Sequence, residues 1–250
     1  MPNGRYLDRY SRTSFDCQTQ AARHRRQTHD VRLHPEEPEA RAWEPLADDE
    51  LALRVNSMLP ADGKVLILVD GRSGAGKSTF AARLGRLLGG VVVHSDDIAW
   101  HDDPIDWADL LVDGVLEPWR QGESVSFRPP RWVARGRQGA VEVPPGRVLL
   151  VEGVGVSRAS LADRAELVVW VQSDHEEARR RGIERDVGFG RTPAEAEAFW
   201  DEWMRSEDPF LADDRPWTRA ALLVNGTPAA STADCTLVAP GPLVQPAALS

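Results

Sequence analysis

The chain has 250 residues, and its 39 acidic against 30 basic side chains give a formal charge of −9, which excludes non-specific nucleic-acid binding by the protein as a whole. Its two cysteines, Cys17 and Cys235, are too few and too far apart for a disulfide framework or a zinc site. No apolar stretch is long enough to span a bilayer, so no membrane association is expected, and a reducing compartment, the cytoplasm, is the expectation.

From Met1 to Trp43 the residues are mostly Arg, His, Gln, Glu, Thr and Pro, with few aliphatics and no sustained period. Such a composition buries too little apolar surface to offset the entropy of ordering. Residues 1–45 therefore read as a disordered extension, and removing residues 1–43 should leave activity and melting temperature nearly unchanged. A transit peptide is the rival reading of this Arg-rich stretch, against which its acidic residues argue. A helix over Asp48–Met58 carries Leu51 and Val55 at helical spacing. Val65–Val69 is a continuous apolar run, the mark of a strand buried on both faces.

That strand runs into Gly71-Arg72-Ser73-Gly74-Ala75-Gly76-Lys77-Ser78, a full match to the phosphate-loop pattern GxxxxGK(S/T). Thr79 to Leu88 then open a helix, so the motif sits in the order strand, loop, helix that it requires. Loop N–H groups and the helix N-terminus together form an anion cradle over Gly71–Thr79. The chain has only two lysines, Lys64 and Lys77, and one stands where a compact charge must reach between phosphates. This pattern predicts that the chain binds a nucleoside triphosphate, with Lys77 on the β- and γ-phosphates and the Ser78 hydroxyl on Mg2+.

A second strand, Val91–His94, ends at Ser95-Asp96-Asp97. A carboxylate at that rim takes the proton of an attacking hydroxyl or holds water around a metal. The plain alternative for either aspartate is a helix N-cap. Leu110, Leu111, Val115 and Leu116 mark a helix over Asp106–Trp119. Ser124–Phe127 and Ala140–Val143 read as short strands around an Arg- and Gly-rich loop. Arg147–Val151 is a third buried strand closed by Glu152, whose acid is placed to orient Mg2+. Leu167–Val171 is a fourth strand, followed by a helix over about 174–187 that carries Arg179, Arg180, Arg181 and Arg185. Arg181 and Arg185 share one face. They either stabilise the transferring phosphoryl group or pair with Glu176, Glu177 and Glu184. A helix over about 193–206 and a strand over Ala221–Val224 complete the core, and the Pro/Ala-rich residues 228–250 read as a flexible tail. Trp100 and Trp132 are candidates to stack on a base, core packing being the alternative.

Strands alternating with helices predict an α/β fold, a three-layer parallel sheet flanked by helices over residues 46–227, with the ligand at the carboxyl ends of the strands. Taken together, Gly71–Ser78, Val93–Ile98, Val151-Glu152-Gly153 and Arg181–Asp186 resemble the uridine kinase-like branch of the P-loop kinases, in family order and over most of the core. The resemblance implies a nucleoside/nucleotide kinase fold with a small helical lid over about 179–192. It also implies ATP and Mg2+ as cofactors, transfer to a hydroxyl of a nucleoside, Asp96 as base, Glu152 as the acid on the metal, and Arg181 and Arg185 as lid arginines.

The chain departs from that family on the acceptor side. Ile98-Ala99-Trp100 stands where a Phe-Tyr pair is usual, and Phe127–Trp132 has no acid where a Tyr-Asp segment contacts the nucleoside. Gly182 takes a lid-arginine slot. Asp97, Trp100, Arg128, Arg131 and Trp132 remain the candidate acceptor contacts, and the two arginines suit an acceptor already carrying a phosphate or carboxylate. A regulatory ATPase without a small-molecule acceptor, or a bare nucleotide-binding module, are the alternatives. A guanine switch is excluded, because neither lysine lies in a base-reading Asn/Thr-Lys-x-Asp motif.

Overall fold

The computed structural model of the chain describes residues 31–40, 42–227 and 235–244. Nine strands are present in the described residues, seven of them in one sheet: β1 (Glu44–Leu46), β2 (Val65–Asp70), β3 (Val91–His94), β6 (Val148–Glu152), β7 (Leu167–Gln172), β8 (Leu222–Asn225) and β9 (Thr236–Pro240). Their order across the sheet is β1-β9-β8-β7-β2-β6-β3. Five central strands, β3-β6-β2-β7-β8, run parallel, while β9 and β1 add antiparallel at one edge. The remaining two, β4 (Val125–Phe127) and β5 (Val141–Val143), form a separate antiparallel pair.

Strand β2 is buried along its whole length, and its residues alternate between two cores as a period of two requires. Val65, Ile67 and Val69 face the helices Asp48–Asn56 and Lys77–Leu88 through Leu51, Val55, Phe80, Ala81 and Leu84. Leu66 and Leu68 face the opposite layer, where Trp107, Trp119, Trp132, Trp170 and Trp217 gather. The connection leaving β2 runs to β3 on one side, and the connection leaving β6 crosses to β7 on the other. That reversal opens the crevice at the carboxyl ends where α/β sheets bind ligands.

The ends of the chain depart from the sequence reading, because the core does not stop at residues 46 and 227. Glu44, Pro45 and Leu46 pair with Val238, Leu237 and Thr236, so segments read as extension and tail close the sheet together. Residues 31–40 form a strap across β7. Glu37, only 7% exposed, accepts hydrogen bonds from Trp170 Nε1 at 2.6 Å and Gln172 Nε2 at 2.9 Å. Gln172 accepts the Ala40 N–H in turn, and the Arg32 N–H caps onto Asp174. Residues 1–30 lie outside the described residues, as does Cys17. Cys235 is buried beside Ala47.

Two helices also differ from expectation. The stretch read as one helix is Ala108–Leu111, a π-helical turn over Val112–Leu116, and Glu117–Arg120. Pro118 has no N–H for the usual bond back to Gly114, and the wide turn accommodates that break. A side chain at Gly114 would strike the Phe127 ring, at 2.5 Å. The helix expected over about 193–206 instead runs Pro193–Asp214, begun by Thr192 and Glu195 as a capping box. Among the described residues, no helix is long and apolar enough to cross a membrane.

Candidate active site

The phosphate loop joins β2 to the helix Lys77–Leu88. Gly74 and Gly76 have φ of +75° and +98°, which glycine adopts without penalty, and a Cβ at Gly74 would collide with the carbonyl of Ala178. The Lys77 ammonium lies over the loop, donating to the Arg72 carbonyl at 3.0 Å. Asp70, fully buried just before the loop, pins it to the segment after β6. Its carboxylate accepts the N–H groups of Gly71, Gly155 and Ser157 and the Ser157 hydroxyl, at 2.7 to 3.0 Å. Burial holds the Asp70 carboxyl above its ordinary value despite those bonds.

Arg72 is a loop residue whose side chain serves the surroundings of the loop. It bonds His175 Nδ1 and reaches Asp208 at 3.4 Å, and its Nε is buried without a partner. Glu207, from the helix Pro193–Asp214, also abuts the loop. Its fully buried carboxylate takes the Ser73 N–H with both oxygens, each at 3.1 Å, and Trp203 Nε1 at 2.6 Å. Burial raises the Glu207 carboxyl, while Lys77 and Arg72 pull it the other way.

Glu152 ends β6 opposite Val69 on one side and His94 on the other. It accepts from His94 Nδ1 at 2.5 Å. Burial alone would raise its carboxyl, but His94, Lys77 and the Ser78 hydroxyl outweigh burial and hold it below the ordinary range. Conversely the Glu152 hydrogen bond lifts His94 above 6.5. Ser78 and Glu152 are therefore neighbours, as the sequence reading requires. A hydroxyl beside an ionised carboxylate next to a phosphate cradle is a hard-oxygen donor set that fits Mg2+.

Asp96 and Asp97 lie in the short helix Ser95–Ile98, one and two residues past its start, and its N-cap is His94. Neither aspartate is the cap, and Asp96 is exposed with no hydrogen-bond or ion-pair partner among the described residues. Asp97 is spent otherwise: its carboxylate takes Arg137 Nη2 at 2.6 Å and its carbonyl takes Trp132 Nε1 at 2.8 Å. Trp132 is buried, and the Arg137 guanidinium lies 3.5 Å from its ring centroid. Trp100 flanks the same guanidinium at 5.0 Å. A base cannot stack on the face of Trp132 that Arg137 covers. Arg131 is exposed and reaches Asp102 at 3.7 Å, and Arg128 donates to the Arg137 carbonyl at 2.7 Å.

Arg181 and Arg185, expected from the sequence as lid arginines, are ion-paired. Arg181 bonds Glu177 and the Gly226 carbonyl, and Arg185 bonds Asp186. Their helix, His175–Gly188, is capped by Asp174. At Gly182 the Trp200 ring packs where a Cβ would stand. Asp70, His94, Arg137 and Glu207 were missed by sequence reasoning. A polar residue ending an apolar strand was a signal for Asp70 and His94. Nothing local distinguishes Glu207 from the other acids of its helix.

The strand order and the loop define an α/β P-loop protein. No protein-family model matches the chain, and no curated protein matches it. Among solved structures it is similar to a candidate fructose transport system kinase from Silicibacter sp. TM1040, at 21% identity and a TM-score of 0.47, over 68% of this chain and 93% of that one. It is similar to a possible uridine kinase from Bacillus stearothermophilus at 17% identity and a TM-score of 0.46, over 70% and 96%. The YGR205w protein follows at 12% and 0.49, over 71% and 90%. Identities and TM-scores this low make the likeness one of architecture, and the chemistry is read from this chain's own residues.

Proposed function

We propose that the protein is an ATP- and Mg2+-dependent phosphotransferase that moves the γ-phosphoryl group to a hydroxyl of a small molecule. The observation that carries this reading is Asp96, an exposed carboxylate two residues past the end of β3 that acts electrostatically on His94, the partner of Glu152. Glu152 stands opposite the last residue of that strand, and Lys77 and Ser78 follow from the strand beyond. A bare nucleotide-binding module has no use for such a carboxylate.

Lys77 exchanges the Arg72 carbonyl for the β- and γ-phosphate oxygens when nucleotide binds. Ser78 and Glu152 would hold Mg2+, which would supply charge neutralisation there. Asp96 takes the proton of the acceptor hydroxyl, the oxygen attacks the γ-phosphorus, and the bond to the β-phosphate oxygen breaks to release ADP. Arg181 and Arg185 reach the transferring group only after leaving Glu177 and Asp186, so closure of the helix His175–Gly188 accompanies turnover. Uridine and cytidine, the acceptors that the sequence resemblance implies, are the first to test.

The test is acceptor-dependent ADP release from Mg·ATP, with Asp96→Asn beside the wild type. An acceptor-dependent signal that disappears in Asp96→Asn supports the proposal. Steady release without acceptor, unchanged in that variant, supports the regulatory ATPase instead.

A further inference from the structure

Four arginines, Arg128, Arg131, Arg135 and Arg137, fall within ten residues that contain no acid, in a chain whose net charge is −9. They stand around the helix Pro130–Ala134, between β4 and β5. Local pairing does not consume them. Asp97 takes one N–H of Arg137 and Asp102 faces Arg131. Arg128 meets only a carbonyl, and Nε and Nη1 of Arg137 bond no described residue. Asp97 and Asp96 are consecutive in the short helix Ser95–Ile98, so the cluster is anchored on the helix that carries the proposed base.

Arg137 is held in place before any ligand arrives. Its guanidinium packs on the Trp132 ring at 3.5 Å, lies 5.0 Å from the Trp100 ring, and is anchored on Asp97. A planar fork fixed on one edge presents its other edge in the geometry that matches an oxyanion. Arg128 donates to the backbone carbonyl of Arg137, which places a second, exposed arginine on this loop. The space an aromatic ring would need on Trp132 is filled by the protein itself.

We infer that the acceptor is an aliphatic hydroxyl compound carrying an oxyanion, a carboxylate or a phosphate, which Arg137 and Arg128 bind while its hydroxyl meets Asp96. The inference rests on the kinase reading for the position of the hydroxyl, but the anion site itself stands on the arginine geometry.

Two measurements separate these. First, acceptor-dependent ADP release is compared within matched pairs: ribose against ribose 5-phosphate, glycerol against glycerate, and uridine against uridine monophosphate. The charged member of an aliphatic pair should have a kcat/KM at least about tenfold higher, the size of one charged bidentate contact. The two aliphatic pairs distinguish phosphate from carboxylate. In Arg137→Gln, KM for that acceptor should rise at least about tenfold, with kcat and the Kd for ADP little changed. Arg137→Lys should recover part of the loss, and the exposed Arg128→Gln should raise KM without lowering the melting temperature. Uridine used as well as the best oxyanion, or an unchanged KM in both Gln variants, would overturn the inference. Second, protein saturated with Mg·ADP, so that its phosphate loop is filled, is titrated calorimetrically with ribose 5-phosphate and glycerate. Binding that is lost in Arg137→Gln upholds the anion site even if no acceptor is turned over. Absence of binding in the wild type overturns it.

Discussion

Glu207 accepts the Ser73 N–H with both carboxyl oxygens at 3.1 Å, so a buried acid from a distant helix rests on the phosphate loop. It faces Lys77 and Arg72, the cations a nucleotide would also seek. Glu207→Gln keeps an acceptor for Ser73 and removes the charge. Nucleotide should then bind roughly three- to tenfold more tightly, a difference of about 1 kcal/mol. Weaker ADP binding by this variant in calorimetry would instead make the carboxylate a working part of the cradle.

Lys77→Ala should reduce phosphoryl transfer by on the order of a hundredfold or more, as loss of one charged donor to a transferring group does. The melting temperature should fall as well, because the buried ammonium donates to the Arg72 carbonyl and is a counter-charge to the buried Glu152 and Glu207. Single-turnover kinetics beside a thermal melt checks both halves of this expectation.

The strap reverses the expectation drawn from the sequence for the N-terminal segment. Deleting residues 1–43 removes the strap that covers Trp170 and Gln172, while Glu37→Ala leaves Trp170 Nε1 and Gln172 Nε2 beneath it without that partner. Each such group costs about 1–3 kcal/mol, so the melting temperature should fall clearly. Glu37→Ala alone should reproduce a large share of the fall. A deletion variant melting with the wild type would contradict the packing of residues 31–40.

His34 and His175 lie beside Arg72. Burial first, and the Arg72 guanidinium second, hold both below their ordinary 6.5, against the opposing pull of Asp208. Such a base binds fewer protons folded than unfolded. Its stabilising contribution is complete above pH 6.5 and is lost as the pH falls below 6.5 through the lowered folded values. His175→Gln should therefore show a shallower drop in melting temperature between pH 7.5 and 5.5 than the wild type. Parallel profiles would remove His175 from this linkage.

The phosphate loop, its flanking strand and helix, and the carboxylates Asp96 and Glu152 were legible because each is announced by local chain chemistry: a glycine spacing, or an acid ending an apolar run. The strap was not. Its anchor is Glu37, a polar side chain in a Pro- and Glu-rich stretch, and its burial depends on Trp170 and Gln172 more than a hundred residues away. Strand β9 was hidden similarly, since Thr236–Pro240 is a short apolar run inside a Pro/Ala-rich segment and pairs only through β8 and β1. On the acceptor side, Trp132 reads equally as a stacking platform or as core. Only the fold brings Arg137 onto its face and decides the matter.

The pairing of β1 with β9 also bears on synthesis. The first described strand of the sheet and the last are partners, so the edge cannot close until nearly the whole chain has left the ribosome. The central parallel strands and the phosphate loop can associate earlier, as units complete in sequence, while Glu44–Leu46 must wait for Thr236–Pro240. Contacts of such separation are formed late and slowly. A chain stalled or cleaved shortly before residue 236 would thus present an unpaired β8 edge, a template for aggregation, on a protein whose nucleotide loop is already in place.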